Sequence, residues 1–95
     1  MTNISFEWNP HKAKLNQRNH GVSFEEAKSV FYDENAIEFY DFDHSHNEER
    51  FLLLGRSCNL RLLLICHCFK EADGVIRIIS ARKATQKEQI EYTGG

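Results

Sequence analysis

The sequence predicts an α+β fold: an antiparallel β-meander of four to five strands, two N-terminal helices packed on one face, and a short C-terminal helix. Two capped helical segments near the start predict the helices, and four apolar segments separated by short polar turns predict the meander. Ninety-five residues suffice for one hydrophobic core, so residues 1–95 are expected to form a single domain.

The first elements are a strand and a helix with clear end signals. Ser5–Trp8 is apolar and aromatic and predicts a short strand. Asn9 followed by proline is typical of an N-cap and a first helical position, so a helix is expected over Pro10–His20. Gly21 follows as the residue that ends the helix in a left-handed conformation.

A second helix is predicted over Ser23–Tyr32. Ser23 and Glu26 have the spacing of a capping box, and Val22 and Ala27 are placed to form a hydrophobic staple. The acidic stretch that begins at Asp33 ends the helix.

The rest of the chain reads as strands and one last helix. Ser57-Cys58-Asn59 predicts a tight hairpin, Lys70–Gly74 a polar turn, and Asp43–Glu48 a polar loop. The predicted elements between these turns are strands at Ala36–Phe42, Glu49–Arg56, Leu60–Phe69 and Val75–Arg82, and a helix at Ala84–Tyr92.

The composition argues against several classes of protein. The N-terminus lacks the pattern of a signal peptide, and no apolar run is long enough for a membrane span, so we expect a cytoplasmic protein without a membrane partner. The three cysteines do not suggest a disulfide framework. Cys66 and Cys68 should point to one strand face and His67 to the other, and no second ligand cluster follows, so we expect neither a metal nor a cofactor.

Charge is unevenly distributed along the chain. Residues 1–54 carry five Lys or Arg against ten Asp or Glu, whereas residues 55–95 carry seven against four. A phosphate-binding surface is therefore expected in the second half of the chain.

Strand parity assigns the sheet faces. In Leu60–Phe69, the even-numbered residues are wholly apolar and are expected to face the helices, while Arg61 and His67 face outward. In the last strand, Arg77 is expected on the same open face. The residues expected beneath the helices are Leu62, Leu64, Cys66, Ile76 and Ile78.

Two hairpins would bring three polar residues into one row. A two-residue Cys58-Asn59 turn sets Arg50 opposite His67, and the Lys70–Gly74 loop sets His67 opposite Arg77. Neighbouring positive charges are unfavourable unless an anion lies between them, which points to a bound phosphate.

This row suits RNA cleavage by attack of a ribose 2′-OH on the adjacent phosphate. His67 would act as acid or base, and Arg50 and Arg77 would stabilise the negative charge that develops on phosphorus. Further RNA-binding residues are expected among the basic residues of the second half, Arg56, Arg61, Arg82, Lys83 and Lys87.

Other interpretations remain open. A strand histidine is more often structural than catalytic, and the arginines could serve a non-catalytic RNA- or protein-binding module or a dimerisation scaffold. Apolar residues are also expected on the open face, which should be covered by a partner or an additional element: Leu52, Leu54, Leu63, Ile65 and Ile79.

Four collinear segments resemble the BrnT-type toxins. FEWNPHKAKLNQRNHGVSFEEAKSVF at residues 6–31 is similar to the family's opening pattern, W-D-P-x-K followed by K-H-G-V-S-F-E-E-A. The likeness continues through D-x-D-H-S at Asp41–Ser45 and E-E-R-F at Glu48–Phe51. It ends in RIISARKATQKEQIEY at residues 77–92, so it covers nearly the whole chain.

The resemblance implies a RelE-like fold and ribonuclease activity in a toxin–antitoxin pair. The implied partners are RNA and a BrnA-type antitoxin, with operator DNA bound only through the antitoxin complex. The residues that match family positions directly are His20, Glu48, Arg50, Arg77 and Arg82. The chain departs from the family pattern at Asn9, at Asn19 and over Cys66–Cys68.

Overall fold

A computed structural model describes residues 4–70 and 74–94. Over these residues the chain forms five strands, three α-helices and one 3-10 turn, in the predicted order. The strands are β1 (Ser5–Glu7), β2 (Ile37–Tyr40), β3 (Phe51–Arg56), β4 (Leu62–Lys70) and β5 (Val75–Lys83). The helices are α1 (Pro10–His20), α2 (Phe24–Ser29) and α3 (Gln86–Thr93), and the 3-10 turn Val30–Tyr32 follows α2.

The five strands form one sheet in the order β1-β5-β4-β3-β2. Strands β2 to β5 are an antiparallel meander, whereas β1 pairs parallel with the first residues of β5. The predicted α+β architecture is confirmed. The sheet is mixed because β1 lies parallel to β5 at the edge opposite β2. In the described ranges, no helix has the length and apolarity that crossing a membrane requires.

The helix ends follow the local signals. The Asn9 side chain accepts hydrogen bonds from the backbone N–H groups of His11 and Lys12, and Gly21 has a left-handed φ of 68°. Ser23 caps α2 by accepting from the N–H of Glu26. The Glu26 carboxylate does not complete a capping box, because it binds Ser57 and Arg61 on the β3–β4 hairpin.

The core lies between the sheet and α1, α2 and the 3-10 turn. It is formed by buried apolar residues of the helices and of one sheet face: Val22, Phe24, Ala27, Val30, Leu53, Leu63, Ile65, Ile78 and Ala81. The face assignment made from the sequence for β4 was therefore wrong. Leu63 and Ile65 pack beneath the helices, whereas Leu64 and Cys66 are buried on the other face. Leu62 is half-buried there.

The length of the β3–β4 loop explains why the two faces of β4 are exchanged relative to the prediction. Arg56 pairs with Leu62, and the backbone N–H of Ser57 donates to Arg61 O at 2.8 Å, so three residues form the loop instead of two. Leu60 takes a left-handed φ of 61° at the end of this loop and is exposed. One extra loop residue shifts the register by one position, and a shift of one exchanges the two faces of a strand.

Candidate functional site

A β-bulge in β5 determines which of its side chains share the open face. Before the bulge Arg77 pairs with Cys68, and after it Ser80 pairs with Cys66 and Arg82 with Leu64. Ile79 is the additional residue between the two registers. Because a bulge offsets the strict alternation of a strand, Arg77, Ser80 and Arg82 all project from the face opposite the helices.

An open groove of about 570 Å³ crosses this face. Its floor is formed by Leu52, Leu64, Cys66, Ile79 and Ser80. Its rims carry polar and charged side chains from three parts of the chain: His20 at the end of α1, Asp41, Asp43, His44 and Arg50 from the segment between β2 and β3, and Arg82 on β5. The groove therefore combines an apolar floor with imidazole, carboxylate and guanidinium groups.

Helix α1 reaches the groove because β1 covers only part of the β5 edge. β1 pairs with Val75–Arg77, and α1 packs beside the remainder of β5. There the buried Asn16 side chain donates to Ala81 O at 2.8 Å and accepts from Ala81 N at 3.1 Å. This pairing fixes the last turn of α1 against the strand edge and places His20 at the rim.

Arg50 lies between the groove and a smaller pocket of about 100 Å³, which Arg77, Lys12 and Glu48 also line. Its Nε atom is buried and has no hydrogen-bond partner among residues 4–70 and 74–94. The nearest carboxylate oxygen of Glu48 lies 3.8 Å from it, which is longer than a hydrogen bond. A buried guanidinium donor without a partner is costly, so this atom is suited to an anion supplied by a ligand.

Arg77 projects toward the same pocket. Its Nε lies 3.0 Å from Glu7 Oε2, and both side chains are partly exposed. Arg50 and Arg77 are thus brought together as the sequence predicted, on the face opposite the helices.

The loop after β2 holds a carboxylate–imidazole pair. Asp41 is buried, and its two carboxylate oxygens lie 3.2 and 3.1 Å from His44 Nδ1. Cys66 Sγ lies 3.8 Å from Asp41, and burial together with the Asp41 charge raises the pKa of this thiol to about 11. From the sequence, Asp41 was assigned to the strand Ala36–Phe42 and His44 to the polar loop Asp43–Glu48, although their i, i+3 spacing was a signal that they could pair.

His67 does not belong to this face, so its predicted placement was wrong. It pairs with Phe51 and Ile78, where the sequence predicted Arg50 and Arg77. The longer β3–β4 loop shifts the pairing of β3 with β4 by one residue. The pairing of β4 with β5 is also shifted by one, because Lys70 and not Phe69 pairs with Val75. The alternation itself was right, because Cys66 and Cys68 share the open face and His67 occupies the other.

His67 is fully buried in an aromatic cage on the helix side. The rings of Phe31, Phe51 and Phe69 surround it, with centroids 4.8, 6.1 and 5.4 Å from its own. Nδ1 lies 3.4 Å from Ile65 O and Nε2 lies 3.4 Å from Glu38 Oε2. Burial lowers the pKa of His67, so the imidazole is kept neutral and out of reach of a substrate in the groove.

Arg61 also faces the helix side and has a structural partner. Its guanidinium forms an ion pair with the buried Glu26 and donates to Gly21 O at 3.0 Å. The Arg61 hydrogen bonds are the largest cause of a Glu26 pKa of about 2. The Arg61 side chain is nevertheless 33% exposed and lines a hollow beside α3, so its RNA-binding role stays a prediction.

The other predicted RNA-binding residues lie in three places. Arg82 lines the groove and is held by a two-pronged contact with Glu88 of α3, both distances being 2.9 Å. Arg56 lies over the ring of Tyr92, and with Lys83 it lines a separate hollow of about 450 Å³ beside α3. Lys87 is exposed on α3. The RNA-binding role of these four residues stays a prediction.

Comparison with known proteins defines the class to which this fold and groove belong. Residues 8–88 match the family model described as the ribonuclease toxin BrnT of type II toxin–antitoxin systems. The chain therefore belongs to the BrnT family of ribonuclease toxins, with RNA as substrate and an antitoxin as partner.

A solved structure agrees with this assignment at the level of the fold. The 1.1 Å crystal structure of the Brucella abortus ribonuclease toxin BrnT is similar to this chain with a TM-score of 0.68 and 19% sequence identity. The similarity covers 88% of this chain and 100% of the Brucella protein. No match is found among curated proteins.

Proposed function

We propose that this toxin is a metal-independent endoribonuclease that cleaves RNA by attack of a ribose 2′-OH on the adjacent phosphate. The new bond joins the 2′-oxygen to phosphorus while the bond to the 5′-oxygen breaks. The products are a 2′,3′-cyclic phosphate and a 5′-hydroxyl end. One proton leaves the 2′-oxygen and one is delivered to the 5′-oxygen, so no oxidant or further reactant is required.

The observation that carries the proposal is the buried Nε of Arg50, whose hydrogen-bonding capacity no group in residues 4–70 and 74–94 uses. Arg77 lines the same pocket, and Arg82 lies across the groove. A phosphate beside Arg50 would supply the missing acceptor in this pocket. Each guanidinium already has a carboxylate nearby, Glu48 at 3.8 Å from Arg50 and Glu7 at 3.0 Å from Arg77, which an incoming phosphate would compete with. Guanidinium groups at this position stabilise the negative charge of the transition state, the task that a metal ion performs in other nucleases.

The apolar floor of the groove supports a protein partner. Leu52, Leu64 and Ile79 lie beneath a groove that is open on one side. We propose that a BrnA-type antitoxin covers this floor and thereby excludes RNA from the arginines. Operator DNA would be bound only through the antitoxin in that complex, and RNA cleavage by the free toxin would take place in the cytoplasm.

The test is incubation of the purified toxin with end-labelled RNA in excess EDTA, with analysis of the product ends. We expect cleavage under these conditions, with 2′,3′-cyclic phosphate and 5′-hydroxyl ends. A matched oligonucleotide with 2′-deoxyribose at the cleaved nucleotide should resist, because it lacks the nucleophile. Cleavage that requires added Mg²⁺, or that proceeds on the deoxy substrate, would overturn the proposal.

A further inference from the structure

Hydrogen bonds hold the loop that carries the Asp41–His44 pair in one conformation. The backbone N–H of Asp41 donates to Arg50 O at 2.9 Å, which joins the two ends of the loop. Ser45 Oγ donates to Asp41 O at 2.6 Å and accepts from Arg50 N at 2.9 Å. These bonds lock the Asp41 end of the loop to Arg50, the residue that would contact the phosphate.

Within this loop the two members of the pair have opposite environments. The Asp41 side chain is 8% exposed and that of His44 is 65% exposed. A buried carboxylate accepts the Nδ1–H of a neighbouring neutral imidazole, which fixes the ring orientation and leaves the Nε2 lone pair free. His44 lines the same groove as Arg50 and Arg82, so this lone pair belongs to a group at the rim.

We infer that His44 is the general base of the cleavage reaction and that Asp41 is its positioning residue; this rests on the proposed ribonuclease mechanism. His44 Nε2 takes the proton of the 2′-OH as the 2′-oxygen forms its bond to phosphorus. His20, which lines the groove from the end of α1, delivers a proton to the 5′-oxygen as that bond breaks. An in-line displacement has its attacking and leaving oxygens on opposite sides of phosphorus, so the base and the acid must be separate groups; His44 and His20 line the groove from the β2–β3 segment and from α1.

A purely structural role for the pair predicts a different outcome. If His44 served only to compensate the buried Asp41 charge, its loss would change stability and leave cleavage by the folded protein intact. The two roles are separated by replacing His44 with alanine and supplying free imidazole, because added imidazole can restore a proton acceptor and cannot rebuild a loop.

The experiment measures cleavage rate and RNA affinity of the full chain for His44→Ala, Asp41→Asn and the double variant. We expect His44→Ala to lower kcat by roughly 10²–10⁴-fold with RNA affinity retained, and added imidazole to restore part of the rate. Asp41→Asn alone should lower kcat by about 10²-fold through misorientation of the ring. In the His44→Ala background it should cost nothing further, since its effect acts through His44.

His11→Ala is the matched control, because His11 is an exposed histidine outside the groove and should leave the rate unchanged. Wild-type cleavage together with full activity of His44→Ala would overturn this inference alone. A reduced rate that imidazole does not raise would also overturn it, as would an Asp41→Asn penalty that persists without His44. Failure of the wild-type protein to form cyclic phosphate ends would instead overturn the proposed ribonuclease mechanism.

Discussion

Arg77 and Arg82 project from the same face of β5, although an odd number of positions separates them in the strand. In a regular strand such a spacing would send them to opposite faces. The bulge at Ile79 adds the residue that restores the shared face, since Arg77 pairs with Cys68 and Arg82 with Leu64. The bulge therefore allows one strand to supply guanidinium groups to both the groove and the small pocket.

Deletion of Ile79 should be tolerated, whereas insertion of one alanine after Ser80 should not. The deletion leaves each remaining residue of β5 opposite its present partner in a regular ladder, at a cost below about 2 kcal/mol for the lost isoleucine. The insertion turns Arg82 toward the core and away from Glu88, which should cost roughly 3–5 kcal/mol. Denaturant unfolding of both variants measures the difference, and equal destabilisation would contradict this role of the bulge.

Arg50→Ala and Arg77→Ala should each lower the cleavage rate by about 10²–10³-fold, because each removes a donor to the phosphate. Arg77→Ala should leave stability nearly unchanged, since its contact with Glu7 is a partly exposed ion pair worth at most about 1 kcal/mol. Arg18→Ala, an exposed arginine of α1 outside both pockets, is the matched control. Wild-type rates for the two site variants would show that the phosphate binds elsewhere.

The elements predicted from the sequence agree best with the structure where local chemistry determines them. The ends of α1 were predicted correctly because the Asn9 side chain and the left-handed Gly21 act within one turn of the helix. Pairing was harder to predict, because it depends on loop length, and the left-handed Leu60 carried no glycine or asparagine signal. The resulting shift of one residue moved His67 from the open face to the core.

The arginines of the candidate site could be predicted from the sequence, whereas its proposed acid–base groups could not. Arg50 and Arg77 still share a face because the β3–β4 and β4–β5 registers each differ from the predicted ones by one residue, and the two shifts cancel between β3 and β5. Asp41 and His44 were missed because Asp41 was assigned to the strand Ala36–Phe42 and His44 to a polar loop, and neither pattern shows that the Asp41 carboxylate is buried. His67 was favoured because the even-numbered face of β4 is wholly apolar and was assigned to the core, which left His67 and Arg61 on the face expected to be open.

Glu26→Gln should destabilise the fold and make its free energy of unfolding depend less on pH in the acidic range. Arg61 holds the Glu26 pKa at about 2, below its ordinary value of 4.5. The stabilisation is therefore present above about pH 4.5 and is lost as pH falls toward 2, a change of about 3 kcal/mol. The free energy of unfolding measured from pH 5 to 2 should fall less steeply in the variant. Parallel curves for the two proteins would mean that another carboxylate controls acid stability.

His67→Phe should leave RNA cleavage unchanged and alter only the pH dependence of stability. The cage of Phe31, Phe51 and Phe69 offers apolar contacts that a phenyl ring can replace. Burial lowers the His67 pKa in the folded state, so below the ordinary histidine pKa of 6.5 the unfolded chain binds the extra proton. Wild-type stability should thus be full above pH 6.5 and decline as pH falls below it.

The His67→Phe variant has no side chain that titrates at this position. Its unfolding free energy should therefore change less between pH 6.5 and 5.5 than that of the wild type. Chemical denaturation at several pH values measures this difference, and cleavage assays on the same samples measure activity. His67→Gln serves as a second variant that keeps a polar side chain without the titration, in case phenylalanine overfills the cage. A folded His67 variant that binds RNA but no longer cuts it would return this residue to the catalytic site, against its burial on the helix side of the sheet.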